Sequence, residues 1–136
     1  MDAKARDTLI MVVEDEEPLL RLSTHILEMA GYRVTPMAES ETALHRSRSR
    51  RDDPIHLLLT DVRMDPHMSG ARLAHLMRQD RPGLRVIYMT GYPVVDALMK
   101  EEAAGAAGLL RKPFTPTALL EAVRKVLEPS PAPAKA

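Results

Sequence analysis

Three short, nearly unbroken apolar runs constrain this chain most: Leu9-Ile10-Met11-Val12-Val13, Ile55-His56-Leu57-Leu58-Leu59 and Arg85-Val86-Ile87-Tyr88-Met89, each halted by polar residues. Runs that brief, without polar alternation, suit strands covered on both faces, the condition of inner strands in a parallel sheet. Between them, apolar residues recur three or four apart: Leu19, Leu22, Ile26, Leu27 and Ala30, then Leu73, Leu76 and Met77, then Leu119, Leu120, Val123, Val126 and Leu127. That spacing predicts amphipathic helices. Pro18 suits a first helical turn, Gly31 a C-terminal exit, and Thr115-Pro116 an N-cap followed by proline at the first helical position. Weaker strands over 33–37 and 108–111 and weaker helices over 40–50 and 94–104 complete five strands alternating with five helices.

Alternation of this kind implies right-handed crossovers and a doubly wound α/β fold, (βα)5, with helices on both faces of a five-stranded parallel sheet. A length of 136 residues suits one such domain. Its expected limits are 8–128, after a flexible lead-in of residues 1–7 and before a disordered Pro/Ala-rich tail of residues 129–136. The hydrophobic share of 45% beside 28% charged residues is that of a soluble globular protein. No apolar run approaches a membrane span, no signal peptide opens the chain, and there is no cysteine, so a cytoplasmic, membrane-free protein without disulfides is expected. Nineteen basic residues balance nineteen acidic ones, which argues against nucleic-acid binding. The basic stretch Arg46 to Arg51, with nothing aromatic interleaved, reads as a solvated helix end. The neutral, aromatic-poor composition gives no reason to expect more than a monomer.

Open parallel sheets bind ligands outside the carboxyl ends of their strands. The first strand runs into Glu14-Asp15-Glu16-Glu17, the third ends at Asp61, the fourth at Thr90 and the fifth at Lys112. Folded as above, these residues converge. Clustered carboxylates repel one another unless a counter-charge joins them, and such oxygen-rich sites suit hard divalent ions such as Mg²⁺. A divalent cation beside a carboxylate, a lysine and a hydroxyl has a plain chemistry: the cations neutralise phosphoryl oxygens, the hydroxyl donates to another, and the carboxylate attacks phosphorus in line. Taken singly, each residue has an ordinary reading as a turn, a helix-dipole charge or a surface lysine. Their joint appearance at successive strand ends is the signal.

Four segments, Met11-Val-Val-Glu-Asp15, Leu57-Leu-Leu-Thr-Asp61-Val-Arg-Met, Met89-Thr90-Gly91 and Arg111-Lys112-Pro113-Phe114, resemble the signatures of the response-regulator receiver family. The likeness covers residues 8 to 128. It implies a flavodoxin-like strand order 2-1-3-4-5 and Asp61 as the phosphoacceptor. It also implies Mg²⁺ held by Asp15 directly, by Glu14 through water, by Asp61, and by the backbone carbonyl of Arg63. Thr90 and Lys112 would bind the phosphoryl group, and the Lys112-Pro113 bond would be cis. A sensor histidine kinase or a histidine phosphotransfer protein would be the donor, and an unidentified downstream protein would meet the surface of the fourth helix, fifth strand and fifth helix. The chain would assist its own phosphorylation and dephosphorylation without being an enzyme. Thr-Gly-Tyr after the fourth strand resembles a stand-alone or kinase-attached subgroup.

Two departures stand out. Leu109 occupies the place where receivers usually carry a switching Tyr or Phe, which leaves Tyr92 as a candidate replacement. The loop Met64-Asp65-Pro66-His67-Met68-Ser69-Gly70 is one residue longer than usual, with Asp65 as the insertion and no role for His67. The bulk of Arg63 and Tyr92 is expected to affect the lifetime of a phosphoryl group. Glu16 and Glu17 are assigned only to helix-dipole compensation. A phosphohydrolase using an aspartyl-phosphate is disfavoured, because Arg63 stands where such enzymes need a second carboxylate. A pseudo-receiver that is never phosphorylated draws on Leu109 and the loop, against the retention of Glu14, Asp15, Asp61, Thr90 and Lys112.

Overall fold

A computed structural model of the chain describes residues 3–64, 68–91 and 105–128. Five strands, β1 (Leu9–Val13), β2 (Arg33–Met37), β3 (Ile55–Asp61), β4 (Arg85–Thr90) and β5 (Gly108–Arg111), form one parallel sheet in the order β2-β1-β3-β4-β5. The helices are α1 (Ala3–Arg6), α2 (Glu17–Met29), α3 (Ser40–Ser49), α4 (Gly70–Asp80) and α5 (Pro116–Leu127). The last four correspond to four of the five helices expected. The remaining one, over 94–104, lies outside the described residues, as do Asp65, His67, Tyr92 and the tail 129–136. The lead-in read as flexible contains the helical turn α1, in which Ala5 is buried.

Successive side chains of a strand point to opposite faces, and the core divides accordingly. Leu9, Met11 and Val13 join Leu58, Val86 and Tyr88 on one face, where Ala43 of α3 and Leu73, Ala74 and Met77 of α4 cover them. Ile10 and Val12 join Leu57, Leu59, Ile87 and Met89 on the other, beneath Ile26 and Leu27 of α2 and Leu119 and Val123 of α5. This two-sided cover explains why β1, β3 and β4 are apolar almost throughout. The outer strands β2 and β5 are only partly covered, and they are the two with weak sequence signals. Pro36 is tolerated because β2 is an edge strand.

Local chemistry fixes the helix ends. At α2, Gly31 N–H donates to Glu28 O at 2.9 Å and Tyr32 N–H to Leu27 O at 3.1 Å. This pairing needs a left-handed residue, which Gly31 supplies with φ 101°. The side chains of Ser69 and Thr115 accept from Arg72 N and Ala118 N and so cap α4 and α5. The register of α2 differs from its expected apolar face: Leu22 is 50% exposed, and the buried side consists of Ser23, Ile26 and Leu27 with Leu20 packed beside them. Leucines at 19, 20 and 22 span more of the helix than one face can bury, so spacing alone did not choose among them.

A single arginine joins the far ends of α3 and α4. Arg81 Nε donates to Ser47 Oγ at 3.0 Å, Nη2 donates to Ser47 O at 2.9 Å and Arg50 O at 3.0 Å, and Nη1 donates to Asp53 O. The acceptors belong to the end of α3 and its following turn, where Arg50 O and Asp53 O also accept from Asp53 N and Ile55 N. Arg81→Ala is expected to lower stability by about 1–3 kcal/mol, the scale of stranded polar groups. Arg81→Lys should recover little of that, since one ammonium cannot reproduce the fork. Urea unfolding midpoints test this, and an unchanged midpoint in Arg81→Ala would refute it.

Candidate functional site

The ends of the five strands are tied to their neighbours by backbone hydrogen bonds. Glu14 N–H donates to Met37 O at 3.0 Å, Val62 N–H to Met89 O at 3.1 Å, and Lys112 N–H to Thr90 O at 2.8 Å. The residues that leave the sheet at its carboxyl edge are therefore held in fixed relation, and they are the ones singled out by the sequence. Glu14 is wholly buried, Asp61 and Thr90 are buried, and Asp15 is exposed at the rim.

Lys112 organises the pocket. Its Nζ lies 2.6 Å from Asp61 Oδ1 and 2.6 Å from Glu14 Oε1, with Glu16 Oε1 at 4.0 Å. The contact with Glu14 Oε1 has the distance of an ion pair without the alignment of a hydrogen bond. Glu14 Oε2 accepts from Glu16 N–H at 3.0 Å, so the backbone opening α2 also serves the pocket. The Lys112-Pro113 peptide is cis.

One ligand oxygen each from Glu14, Asp15 and Asp61 lies within 4.8 Å of the others. Three carboxylates and one ammonium leave negative charge in excess, and the protonation of the pocket reflects it. Burial, then the adjacent Glu14, push Asp61 up to about 8 against the pull of Lys112. Burial, then Glu14, also raise Asp15. For Glu14, burial acts upward but is outweighed by the adjacent Asp61 and Lys112 and by the hydrogen bond from the Glu16 amide, so its carboxyl lies below the ordinary value. Burial acts downward on Lys112, and the two carboxylates more than reverse it, so the lysine stays protonated. A proton is thus shared where positive charge is short, and the all-oxygen donor set fits a hard divalent cation.

The backbone around Asp61 is closely confined. Val62 O accepts from Gly70 N at 2.8 Å and Ala71 N at 3.3 Å, which closes the loop between β3 and α4 at its foot. A Cβ on Gly70 would lie 1.6 Å from Asp61 O and 2.8 Å from Thr60 Oγ1, so glycine is required by space. Met64 is buried in the core, whereas Arg63 is exposed. Leu109 is 50% exposed on β5, opposite Tyr88 in the register.

Sequence reading missed four contributors. Gly70 was only a loop residue, the Glu16 amide had no signal, and Ser40 and Glu41 were not considered. Ser40 Oγ donates to Met68 O at 2.6 Å, and Met68 N–H donates to Glu41 Oε2 at 3.1 Å. A serine followed by an acid at a helix start is too common a pattern to reveal such a contact.

A five-stranded 2-1-3-4-5 sheet carrying a buried acid pair, a third carboxylate and a lysine at its carboxyl edge defines a doubly wound α/β domain with an acidic pocket suited to a cation. Residues 10–124 match the response regulator receiver domain, and the chain belongs to that family. It is 33% identical over 118 residues to the response regulator receiver protein CpdR of Brucella abortus, covering 87% of this chain and 95% of CpdR. To the transcriptional regulatory protein FixJ of Rhizobium meliloti it is 30% identical over 122 residues, covering 90% of this chain but only 58% of FixJ. Among solved structures, response regulator protein TrrA of Thermotoga maritima in complex with Mg(2+)-BeF aligns with a TM-score of 0.76 at 27% identity, covering 88% of this chain and 99% of TrrA. Among the described residues, no helix is long and apolar enough to cross a membrane.

The raised Asp61 carboxyl makes stability depend on pH in a definite direction. Between about pH 4 and about pH 8, the folded chain holds a proton that the unfolded chain, with Asp61 near 3.8, has released. Stability of the metal-free protein should therefore fall as pH rises through that window. Asp61→Asn should remove this dependence and raise stability at pH 8 by about 1–4 kcal/mol, as relief of an uncompensated buried charge does. Thermal unfolding in EDTA across pH 5–8 tests it, and equal slopes for the two proteins would refute it.

Proposed function

We propose that this chain accepts a phosphoryl group on Asp61 from the phosphohistidine of a sensor kinase or a phosphotransfer protein, in a Mg²⁺-dependent reaction. The observation that carries the reading is the position of Lys112 Nζ, 2.6 Å from both Asp61 and Glu14 in a buried acidic pocket. Glu14, Asp15, Asp61 and the Arg63 carbonyl would hold the cation, which when bound supplies positive charge to phosphoryl oxygens.

In the transfer, an Asp61 carboxylate oxygen bonds to phosphorus as the phosphorus–nitrogen bond of the donor breaks, and the departing imidazole keeps the bonding pair and takes up a proton. Asp61 must be ionised to attack, so exchange of its proton for the charge of the cation is a precondition. Lys112, already beside Asp61, pairs with one phosphoryl oxygen, and the Thr90 hydroxyl at the end of β4 donates to another. Removing either Asp61 or the cation therefore stops the step.

The modified domain signals through protein contact at the face that carries β5 and α5, and it turns over no substrate beyond its own acyl phosphate. The exposure of Leu109 on β5 supports that surface, since the side chain is already presented outward. The composition and the family relationship support a cytoplasmic setting.

Incubation with Mg²⁺ and a small acyl-phosphate donor is expected to add one phosphoryl group, read by intact mass. Asp61→Asn and EDTA should each abolish the gain, and Lys112→Ala should reduce it by at least tenfold, the order of one charge contact in a transition state. A folded wild type that binds Mg²⁺ yet takes no phosphoryl group from this donor or from a phosphohistidine protein would favour the pseudo-receiver reading.

A further inference from the structure

The loop that leaves Asp61 is held at two places by different means. At its foot, the backbone of Val62 meets Gly70 and Ala71, and Gly70 presses on the Asp61 carbonyl. On its returning limb, both polar groups of the Met68 backbone are taken by side chains of α3: the carbonyl accepts from Ser40 Oγ at 2.6 Å, and the N–H donates to Glu41 Oε2 at 3.1 Å. Together the two side chains act on Met68 as the backbone of a neighbouring strand would.

Ser40 is wholly buried, so its hydroxyl is committed to this contact and a weak one of 3.4 Å to Glu41 Oε1. Glu41 is exposed and in the first turn of α3, where its charge is favoured by the helix dipole. Neither residue belongs to the acidic pocket. Their reach is through Ser69 to Gly70, whose N–H donates to Val62 O at 2.8 Å and whose backbone lies against the Asp61 carbonyl.

We propose that Ser40 and Glu41 are positioning residues for the chemistry at Asp61. By holding Met68 they fix where the chain enters α4, and with it Gly70, whose backbone lies against the Asp61 carbonyl. A Met68 released from α3 would loosen the start of α4 against Asp61, and with it the placing of the Asp61 carboxylate for the cation and the phosphoryl group. This inference rests on the phosphoacceptor reading and adds to it a control of cation affinity and phosphoryl lifetime from a helix that supplies no pocket ligand.

The test separates hydrogen bonding from charge. Glu41→Ala removes the acceptor, whereas Glu41→Gln keeps a carbonyl oxygen for the Met68 amide and loses the charge. Ser40→Ala removes the other contact. Mg²⁺ affinity by calorimetry, the half-life of the phosphorylated form and hydrogen exchange of the Met68 amide are measured on each, with thermal unfolding as a control of folding.

The expected result is a Mg²⁺ dissociation constant raised about threefold to tenfold in Glu41→Ala and Ser40→Ala, the scale of one hydrogen bond. The phosphoryl half-life should shorten, and Met68 exchange should quicken in Glu41→Ala, while Glu41→Gln stays near wild type on all three. Wild-type affinity and half-life in the alanine variants would overturn the proposal. Equal impairment in Glu41→Gln and Glu41→Ala would also overturn it, by assigning the effect to charge. A wild type that binds no Mg²⁺ and takes no phosphoryl group would overturn the underlying reading of Asp61 instead.

Discussion

Among the described residues, the ammonium of Lys112 is the one positive charge placed inside the acidic pocket, and the geometry of the carboxyl edge depends on it. Two buried carboxylates, each unfavourable away from water, are tolerable because this group lies between them at 2.6 Å. The lysine can be there because the amide of Lys112 is tied to Thr90 at the end of β4, so the chain leaves β5 beside the pocket. The balance is incomplete by design of the residues present, since three acids face one base. The remaining deficit goes with the Asp61 carboxyl, which burial and the adjacent Glu14 push up to about 8.

The sheet explains why so distant residues can be set to such short distances. Each of Glu14, Asp61, Thr90 and Lys112 sits at or just past the end of a strand whose register is fixed by parallel pairing with its neighbour. One irregularity interrupts the ladder, between Leu9 and Ile10 of β1, and it lies at the opposite edge. There the imidazole Nδ1 of His56 accepts from Leu9 N–H at 3.0 Å and takes the place of a missing backbone acceptor. The edge that carries the chemistry keeps its pairing unbroken.

Much of this was legible before the fold was known, and the reasons are physical. Inner strands buried on both faces leave continuous apolar runs, so β1, β3 and β4 announced themselves, and the polar residues that ended them were the pocket. Thr115-Pro116 and Gly31 marked helix boundaries because capping and left-handed geometry restrict residue choice. The apolar face of α2 was misjudged at Leu22 because several leucines competed for one stripe. The brace from Ser40 and Glu41 to Met68 and the fork of Arg81 were illegible for another reason. Each joins side chains to backbone groups roughly thirty residues away, and backbone carbonyls and amides leave no trace in a residue pattern.

Gly70 gives the domain a mechanical character. Because the first residue of α4 touches the Asp61 carbonyl with no room for a methyl group, Asp61 and the helix share one contact without slack. Side chains can yield by changing rotamer, whereas two backbones in contact cannot. A shift of a few tenths of an ångström at Asp61 would therefore be passed to α4 as a rigid displacement rather than absorbed locally, and α4 would carry it along its eleven residues toward Asp80 at the far edge of the sheet.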